Sequence, residues 1–396
     1  LARGMIDATR LYRALGRHWG VELADLAALP PDPRLLDQLG PATCLREGLL
    51  PWRQIGDLTV IATAHPEDFA FHRPRLTALF GKVAMALTTP EALETALLAL
   101  RGPTFNRLAL TRVPEPESCR NWGQPSHLRW VQAGAAVLLA VTVLAPIAVI
   151  WVLSAWAVLT LLLSTLLKTA AIFATLRHRK PDPAPPPPDR WPVVSVMVAL
   201  YNEDSIAPRL VRRLSRLDYP REKLDVLLVV EEDDHVTRDA LHRAALPNWM
   251  RIVVVPDGPI RTKPRALNHA LDLCRGTIIG VYDAEDAPEP DQIRKVVARF
   301  HNRPPEVACL QGVLDFYNPR SNWLSRCFTM EYAAWFRVML PGLARLGLPI
   351  PLGGTTLFFR RAVLEELGAW DAYNVTEDAD LGMRLARHGY RTELID

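Results

Sequence analysis

Apolar and polar positions alternate in different rhythms along this chain, and the changes of rhythm mark its zones. In residues 1–102 the clearest element is a strand over 57–64 (D-L-T-V-I-A-T-A), entered from a turn at Ile55-Gly56-Asp57. Thr89 followed by Pro90 predicts a helix start, with the threonine as cap and the proline at the first helical position, where its missing N–H costs nothing. Together these predict a small α+β module. From 103 to 127 proline and charged residues interrupt the periodicity, which predicts a linker. Beyond 193 strands over 193–200, 224–230, 252–255 and 277–282 are separated by helices over 209–217 and 266–274. Apolar, β-branched strands spaced by helices predict a mostly parallel α/β sheet covered on both faces, and such sheets bind ligands outside the carboxyl ends of their strands.

Between Arg129 and Lys168 no position is charged. A run of about 38 residues would measure roughly 57 Å as one helix, against roughly 30 Å for a bilayer core, so it predicts a two-helix transmembrane hairpin over 128–176. The turn is expected near 150–154, where Trp151 and Trp156 suit an interface. Arg120 and Arg129 before the run, and Arg177, Arg179 and Lys180 after it, place both ends in the cytoplasm of a multi-pass inner-membrane protein. Residues 177–192, ending P-D-P-A-P-P-P-P-D-R-W-P, read as a stiff proline-rich linker. Trp323, Trp335 and Phe336, with Arg326 and Arg337, fit an amphipathic helix on the membrane surface and ordinary core equally well.

Composition narrows the function classes. The formal net charge is +3 with 22% charged residues, which gives no reason to expect a nucleic-acid partner. The 5 cysteines show neither a C-x-x-C pair nor a companion histidine pair, so neither a disulfide framework nor a zinc site is expected. A P-loop, an H-E-x-x-H and a nucleophile elbow around Ser195 or Ser205 are all missing.

The informative residues follow the strands. Ala199-Leu200-Tyr201-Asn202-Glu203, Glu231-Glu232-Asp233-Asp234 and Asp283-Ala284-Glu285-Asp286 each close a predicted strand, and Thr376-Glu377-Asp378 opens a helical pattern over 379–388. Mg²⁺ or Mn²⁺ takes oxygen ligands, usually one or two carboxylates plus phosphate oxygens, and a separate carboxylate can take the proton of an attacking hydroxyl. Each motif alone fits a solvated loop or a helix cap; Thr376 in particular reads as an N-cap with the acids complementing the helix dipole.

Their order resembles a family 2 glycosyltransferase with the GT-A fold, the group that includes cellulose and hyaluronan synthases. The resemblance covers 193–396. It implies that V-S-V-M-V-A-L-Y-N-E, with Ala199, Tyr201 and Glu203, cradles the nucleotide of a nucleoside-diphosphate sugar, and that Glu232 contacts its base or ribose. T-K-P-R-A-L-N, with Lys263 and Arg265, matches the family's basic donor-binding stretch, and Asn268 closes it. Asp283 and Glu285 match a D-x-D metal motif with glutamate in the second place, and Asp283 is expected to serve both cation and donor. Gln311, Gly353, Gly354, Thr355, Thr376 and Glu377 fall on the acceptor side, and Asp378 of T-E-D is the expected general base. Inverting transfer to a glycan or other hydroxyl, in polysaccharide synthesis, is the implied reaction. The family's Q-x-x-R-W would lie beyond Asp396, and the chain is expected to be a piece of a longer protein.

The first zone resembles the N-terminal domain of type II secretion and pilus ATPases through L-G-R-H-W-G-V-E-L-A-D-L, P-P-D-P-R-L-L-D-Q-L and L-T-V-I-A-T-A-H-P-E-D. Some of those domains bind cyclic di-GMP through an R-L-G-x-x-L repeat, of which Ala14-Leu15-Gly16 is a remnant. Cyclic di-GMP and a docking protein both stay open as its partner. A catalytically inactive membrane scaffold and a nucleotide-sensing module remain the alternatives to an enzyme.

Overall fold

A computed structural model of the chain describes residues 6–122, 125–177, 185–316 and 318–396. It divides into two compact units, Leu1–Arg112 with Arg190–Ala287, and Val113–Asp189 with Pro288–Asp396.

In the first unit the N-terminal module is built on three strands, β1 (Leu49–Ile55), β2 (Leu58–Thr63) and β3 (Lys82–Leu87). β1 and β2 form a hairpin about Gly56, whose φ of 62° suits glycine, and β3 adds parallel to β2. β2 is the strand read from the sequence. Leu36, Leu49, Leu50, Ile61 and Leu76 fill the core, each contributing about 1.5–3 kcal/mol of burial. The Thr89 hydroxyl accepts from the Ala92 amide at 3.1 Å, capping the Pro90–Thr111 helix as expected.

That helix corrects the linker expected from 103. The backbone leaves helical geometry at Arg101 (φ −129°, ψ 17°) and then continues as helix to Thr111. Pro103 falls in the first turn after the break, where a missing N–H is tolerated. Phe105 and Ala109, four apart and therefore on one face, are both buried.

The same unit contains four parallel strands in the order β7-β4-β5-β6: β4 (Val194–Leu200), β5 (Leu224–Glu231), β6 (Met250–Val255) and β7 (Ile278–Tyr282). β5 is buried at every position, as a strand covered on both faces must be. After β4 the chain steps to β5 and β6 on one side and returns to β7 on the other. The carboxyl ends of β4 and β7 therefore meet at a topological switch point, where open α/β sheets bind their ligands.

The Lys263–Leu273 helix packs against this sheet and is buried from Pro264 to Leu271. Neither ring nitrogen of its His269 has a hydrogen-bond partner among the described residues. Burial, and then the charges of Arg265 and Arg112, push its pKa from 6.5 down to about 4. The unfolded chain takes up this proton near pH 6.5, so between there and about pH 4 the unfolded state binds more protons and stability falls with acidification. The loss should reach about 3 kcal/mol. Thermal unfolding across that window should show a smaller acid loss in His269→Leu than in wild type; parallel curves would refute the assignment.

The second unit holds two helices, Pro125–Leu144 and Pro146–Arg177, and the strands β8 (Val307–Gly312), β9 (Leu357–Arg360) and β10 (Arg391–Ile395). β10 runs parallel to β8, and β9 antiparallel. The turn expected at 150–154 is not there: helix continues through Trp151 and Trp156, and the break falls at Ala145. Pro146 sets the break, because it cannot donate into the preceding turn yet suits the first position of the next helix.

Pro146–Arg177 is the one helix among the described residues long and apolar enough to cross a membrane; the neighbouring apolar stretch, Leu128–Leu144, is shorter. Its 32 residues measure about 48 Å, more than a bilayer core needs. Protein packing accounts for the excess. Ala171 is fully buried against Gly342, where a Cβ would collide with the Ala171 backbone, and the Thr175 hydroxyl donates to the Val338 carbonyl at 2.7 Å. Arg179 and Lys180 lie outside the described residues.

The aromatic segment is the helix Trp323–Ala334, carried through a π turn at Trp335–Met339 into Leu340–Arg345. It divides the two readings of its aromatics, since Phe336 is core at 3% exposure while Trp323 is 77% exposed.

Candidate active site

In the first unit, the chain leaves β4 through Ala199, paired with Val229, and the exposed Tyr201. Asn202 then adopts a left-handed φ of 56°. Its amide donates to Asp234 Oδ2 at 2.7 Å, and the Glu203 amide donates to Thr237 Oγ1 at 2.8 Å. Asp234 thus pins the β4 loop while its other oxygen caps the His235–Arg243 helix at the Thr237 amide. Burial works to raise the Asp234 carboxyl, but the bonds from Thr237 and Asn202 outweigh it and hold the group below the usual carboxylate range. Glu203 is shifted the other way, by burial first and then by Glu285, Asp204 and Asp234.

Asp283 follows β7. Its Oδ1 accepts from Lys263 Nζ at 2.6 Å, and its amide donates to Asp286 Oδ2 at 2.9 Å. Asp286 therefore closes the turn. Arg213 donates to the carbonyls of Glu285 and Asp286 and holds the turn from the helix after β4. The Glu285 side chain is exposed.

Two features here fit a divalent cation. A lysine ammonium already lies against Asp283 where a cation would sit, and Glu285 adds, after burial, to the cost of ionising Glu203. Among the described residues no group of three or more ligating side chains assembles, so a cation at Asp283 and Glu285 would draw its remaining ligands from a diphosphate.

The β5 end corrects one expectation. Arg265, expected to face the donor, is fully buried. Its Nη1 donates to Glu231 Oε2 at 3.1 Å, and its Nη2 donates to the Pro256 carbonyl and to Asn106 Oδ1. Asn268 is equally buried and donates to the Ala109 carbonyl at 2.9 Å. Lys263, half-buried at the first turn of this helix, reaches Asp283 after β7, whereas Arg265 and Asn268 are enclosed by protein, Arg265 on Glu231 at the end of β5. Glu232 is exposed, and its Oε2 accepts from the Asp257 amide at 2.9 Å.

In the second unit, Gln311, one residue before the end of β8, is a fully buried clamp on the Gly353–Thr355 loop. Its Oε1 accepts from the Gly353 amide at 2.7 Å and its Nε2 donates to the Thr355 carbonyl at 3.0 Å. Gly354 carries a φ of 74°, and the atom nearest its missing Cβ is Asp378 Oδ2, at 3.8 Å. Asp378, on the first turn of the Glu377–Arg387 helix, is 6% exposed, and its Oδ1 accepts from Trp370 Nε1 at 3.2 Å. Thr376 holds the N-cap position without capping, its hydroxyl donating to Asn374 Oδ1 instead, so the cap reading of this threonine is corrected. Glu377 is half-buried beside it.

Sequence reasoning brought out the strand-end acids but missed the residues that aim them. Asp234 stood among the acids without a separate role, and Arg213, Trp370 and Asn106 carried no pattern linking them to the residues they hold.

Residues 191–395 match the profile described as glycosyltransferase like family 2, and residues 19–105 match the MshEN domain. A beta-monoglucosyldiacylglycerol synthase of Synechocystis sp. is 30% identical over 212 residues, covering 52% of this chain and 42% of that protein. Cellulose synthase 2 of Novacetimonas hansenii is 27% identical over 247 residues, covering 58% of this chain and 15% of that protein. The chain thus spans less than half the length of these curated relatives. Among solved structures, a mannosyltransferase of Pyrobaculum calidifontis in complex with GDP-Man and Mn²⁺ is 24% identical with a TM-score of 0.46, covering 59% of this chain and 65% of that one.

Proposed function

This chain belongs to the glycosyltransferase like family 2, and from that premise we propose that it transfers a sugar, with inversion, from a nucleoside diphosphate to an acceptor hydroxyl in polysaccharide synthesis. The observation that carries the reading is the Asp283–Lys263 pair at the switch point, with Glu203 and Glu285 nearby.

In this reading Ala199, Tyr201 and Glu203 line the nucleotide, Glu232 meets its base or ribose, and Lys263 contributes positive charge toward the diphosphate. Asp283 and Glu285 hold Mg²⁺ or Mn²⁺, which when bound offsets the charge building on the departing diphosphate. Gly353, Gly354 and Thr355, braced by Gln311 and flanked by Thr376 and Glu377, receive the acceptor. Asp378 takes the hydroxyl proton as the new bond forms.

The helix Pro146–Arg177 would anchor the protein in the inner membrane, the Pro125–Leu144 helix would supply the second arm of a hairpin, and both soluble parts would be cytoplasmic. For the N-terminal module we propose effector capture, with cyclic di-GMP or a partner protein as the ligand. The match to the MshEN domain supports it, as does a groove of about 350 Å³ lined by Arg13, Gly16, Arg17 and Gly20.

The test is a screen of sugar nucleotides with Mg²⁺ or Mn²⁺ on carbonate-washed membranes, with and without cyclic di-GMP. We expect metal-dependent release of a nucleoside diphosphate from at least one donor, retained in the washed membrane fraction. No release from any donor would make the protein an inactive scaffold, and loss of activity to the wash would remove the anchor. Indifference to cyclic di-GMP would leave a protein as the module's partner.

A further inference from the structure

The first unit packs the N-terminal module against the helix that carries Lys263, and the contacts include polar ones that range from buried to exposed. The segment after the break at Arg101 supplies them. Asn106 reaches two groups at once: its Oδ1 accepts from Arg265 Nη2 at 3.4 Å, and its Nδ2 donates to the Asp257 carbonyl at 3.3 Å. One turn on, the Ala109 carbonyl accepts from Asn268. Arg112 then pairs with Asp272.

The two partners of Asn106 lead to the strand ends. Arg265 holds Glu231 at the end of β5, and Asp257 donates its amide to Glu232. Gly258 lets the guanidinium lie flat against the loop, since a Cβ there would stand 2.6 Å from Arg265 Nη2. Arg265 and Lys263 share the first turn of one helix. A guanidinium with 0% side-chain exposure cannot settle elsewhere at small cost, so what fixes it also fixes the carboxylates it holds.

We propose that Asn106 of the N-terminal module is a positioning residue of the sugar-nucleotide site, acting through Arg265 and Asp257 on Glu231 and Glu232. The module is then a structural part of the donor pocket, and any ligand that moves the 102–111 segment changes donor affinity. The inference rests on the donor-site reading above, but its test does not depend on that reading alone.

In the full-length membrane protein, Asn106→Ala should raise the donor KM by up to about tenfold, as the loss of one part-buried and one exposed hydrogen bond allows, with kcat within about twofold. Asn106→Asp keeps the acceptor for Arg265 and loses the donor to Asp257, and should fall between. Glu91→Gln removes an exposed pair with Arg275 on the same interface and should leave KM unchanged. Hydrogen exchange gives a readout free of activity: the Asp257 amide should exchange faster in Asn106→Ala, with the Tm of the rest little moved. Unchanged exchange at Asp257, an unchanged KM despite a lowered Tm, or an equal KM shift in Glu91→Gln would each overturn the proposal. If wild type turns over no sugar nucleotide, the enzymatic reading fails on its own and the exchange measurement decides this one.

Discussion

Asp378→Asn should lower the transfer rate by roughly 10² to 10⁴ while leaving donor and metal binding close to wild type. An acceptor hydroxyl is far too weak an acid to ionise beforehand at neutral pH. A carboxylate must therefore take the proton as the new bond forms, and inversion requires that to happen on the face opposite the departing diphosphate. In the proposed reading this part falls to Asp378. Trp370 occupies one oxygen, and the Gly354 backbone passes close to the other because glycine alone takes that φ without strain. An asparagine keeps the shape, and its oxygen can still accept from Trp370, so folding is preserved while proton acceptance is abolished. The rate factor corresponds to roughly 3 to 5 kcal/mol in the barrier. Transfer at the wild-type rate would place the base elsewhere, and loss of donor binding in the same variant would make Asp378 structural.

Asp283→Ala should remove metal-dependent donor binding, weakening it by at least about 10- to 100-fold, since changes one shell further out from a metal already cost that much. Asp283 places an oxygen on a lysine at the switch point, and its backbone is pinned by Asp286 and by the Arg213 hold on the next carbonyls. The substitution therefore deletes a ligand from a turn that is otherwise held in place. Lys263 loses its bond to Asp283 in this variant, and any metal-independent binding of the diphosphate is read as a separate component. Titrating the sugar nucleotide with and without Mn²⁺ separates the two components. An unchanged metal-dependent component would remove Asp283 from the cation.

What could be read from sequence alone shares one property, which is that its cause is local. The strands over 194–200, 224–231 and 278–282 are apolar runs that a covered parallel sheet requires, and Thr89–Pro90 is a helix start written in adjacent residues. The acids after those strands follow, because a strand's direction decides which of its ends carries the loop, and chain order placed Asp283 and Glu203 on loops of the ligand-binding kind. The charge-free run was equally plain as composition.

Tertiary structure decided what depends on partners distant in sequence. Arg265 and Lys263 look alike as cations two residues apart. One is enclosed by Glu231 and by Asn106, 159 positions earlier, and the other stays half-buried on Asp283. The charge-free run stops at Lys168 by composition, yet the helix that holds its second half continues to Arg177, where Ala171 packs on Gly342, a contact that no hydropathy pattern contains. The break at Ala145 rather than 150–154 came from one proline outweighing two tryptophans, because removing a backbone donor acts on the helix itself, while an aromatic preference for an interface acts only through its surroundings. Residue types and spacing determined which chemistry this chain carries. Which side chains are free to perform it was settled by burial, since a charge enclosed with its partner is no longer available to a substrate.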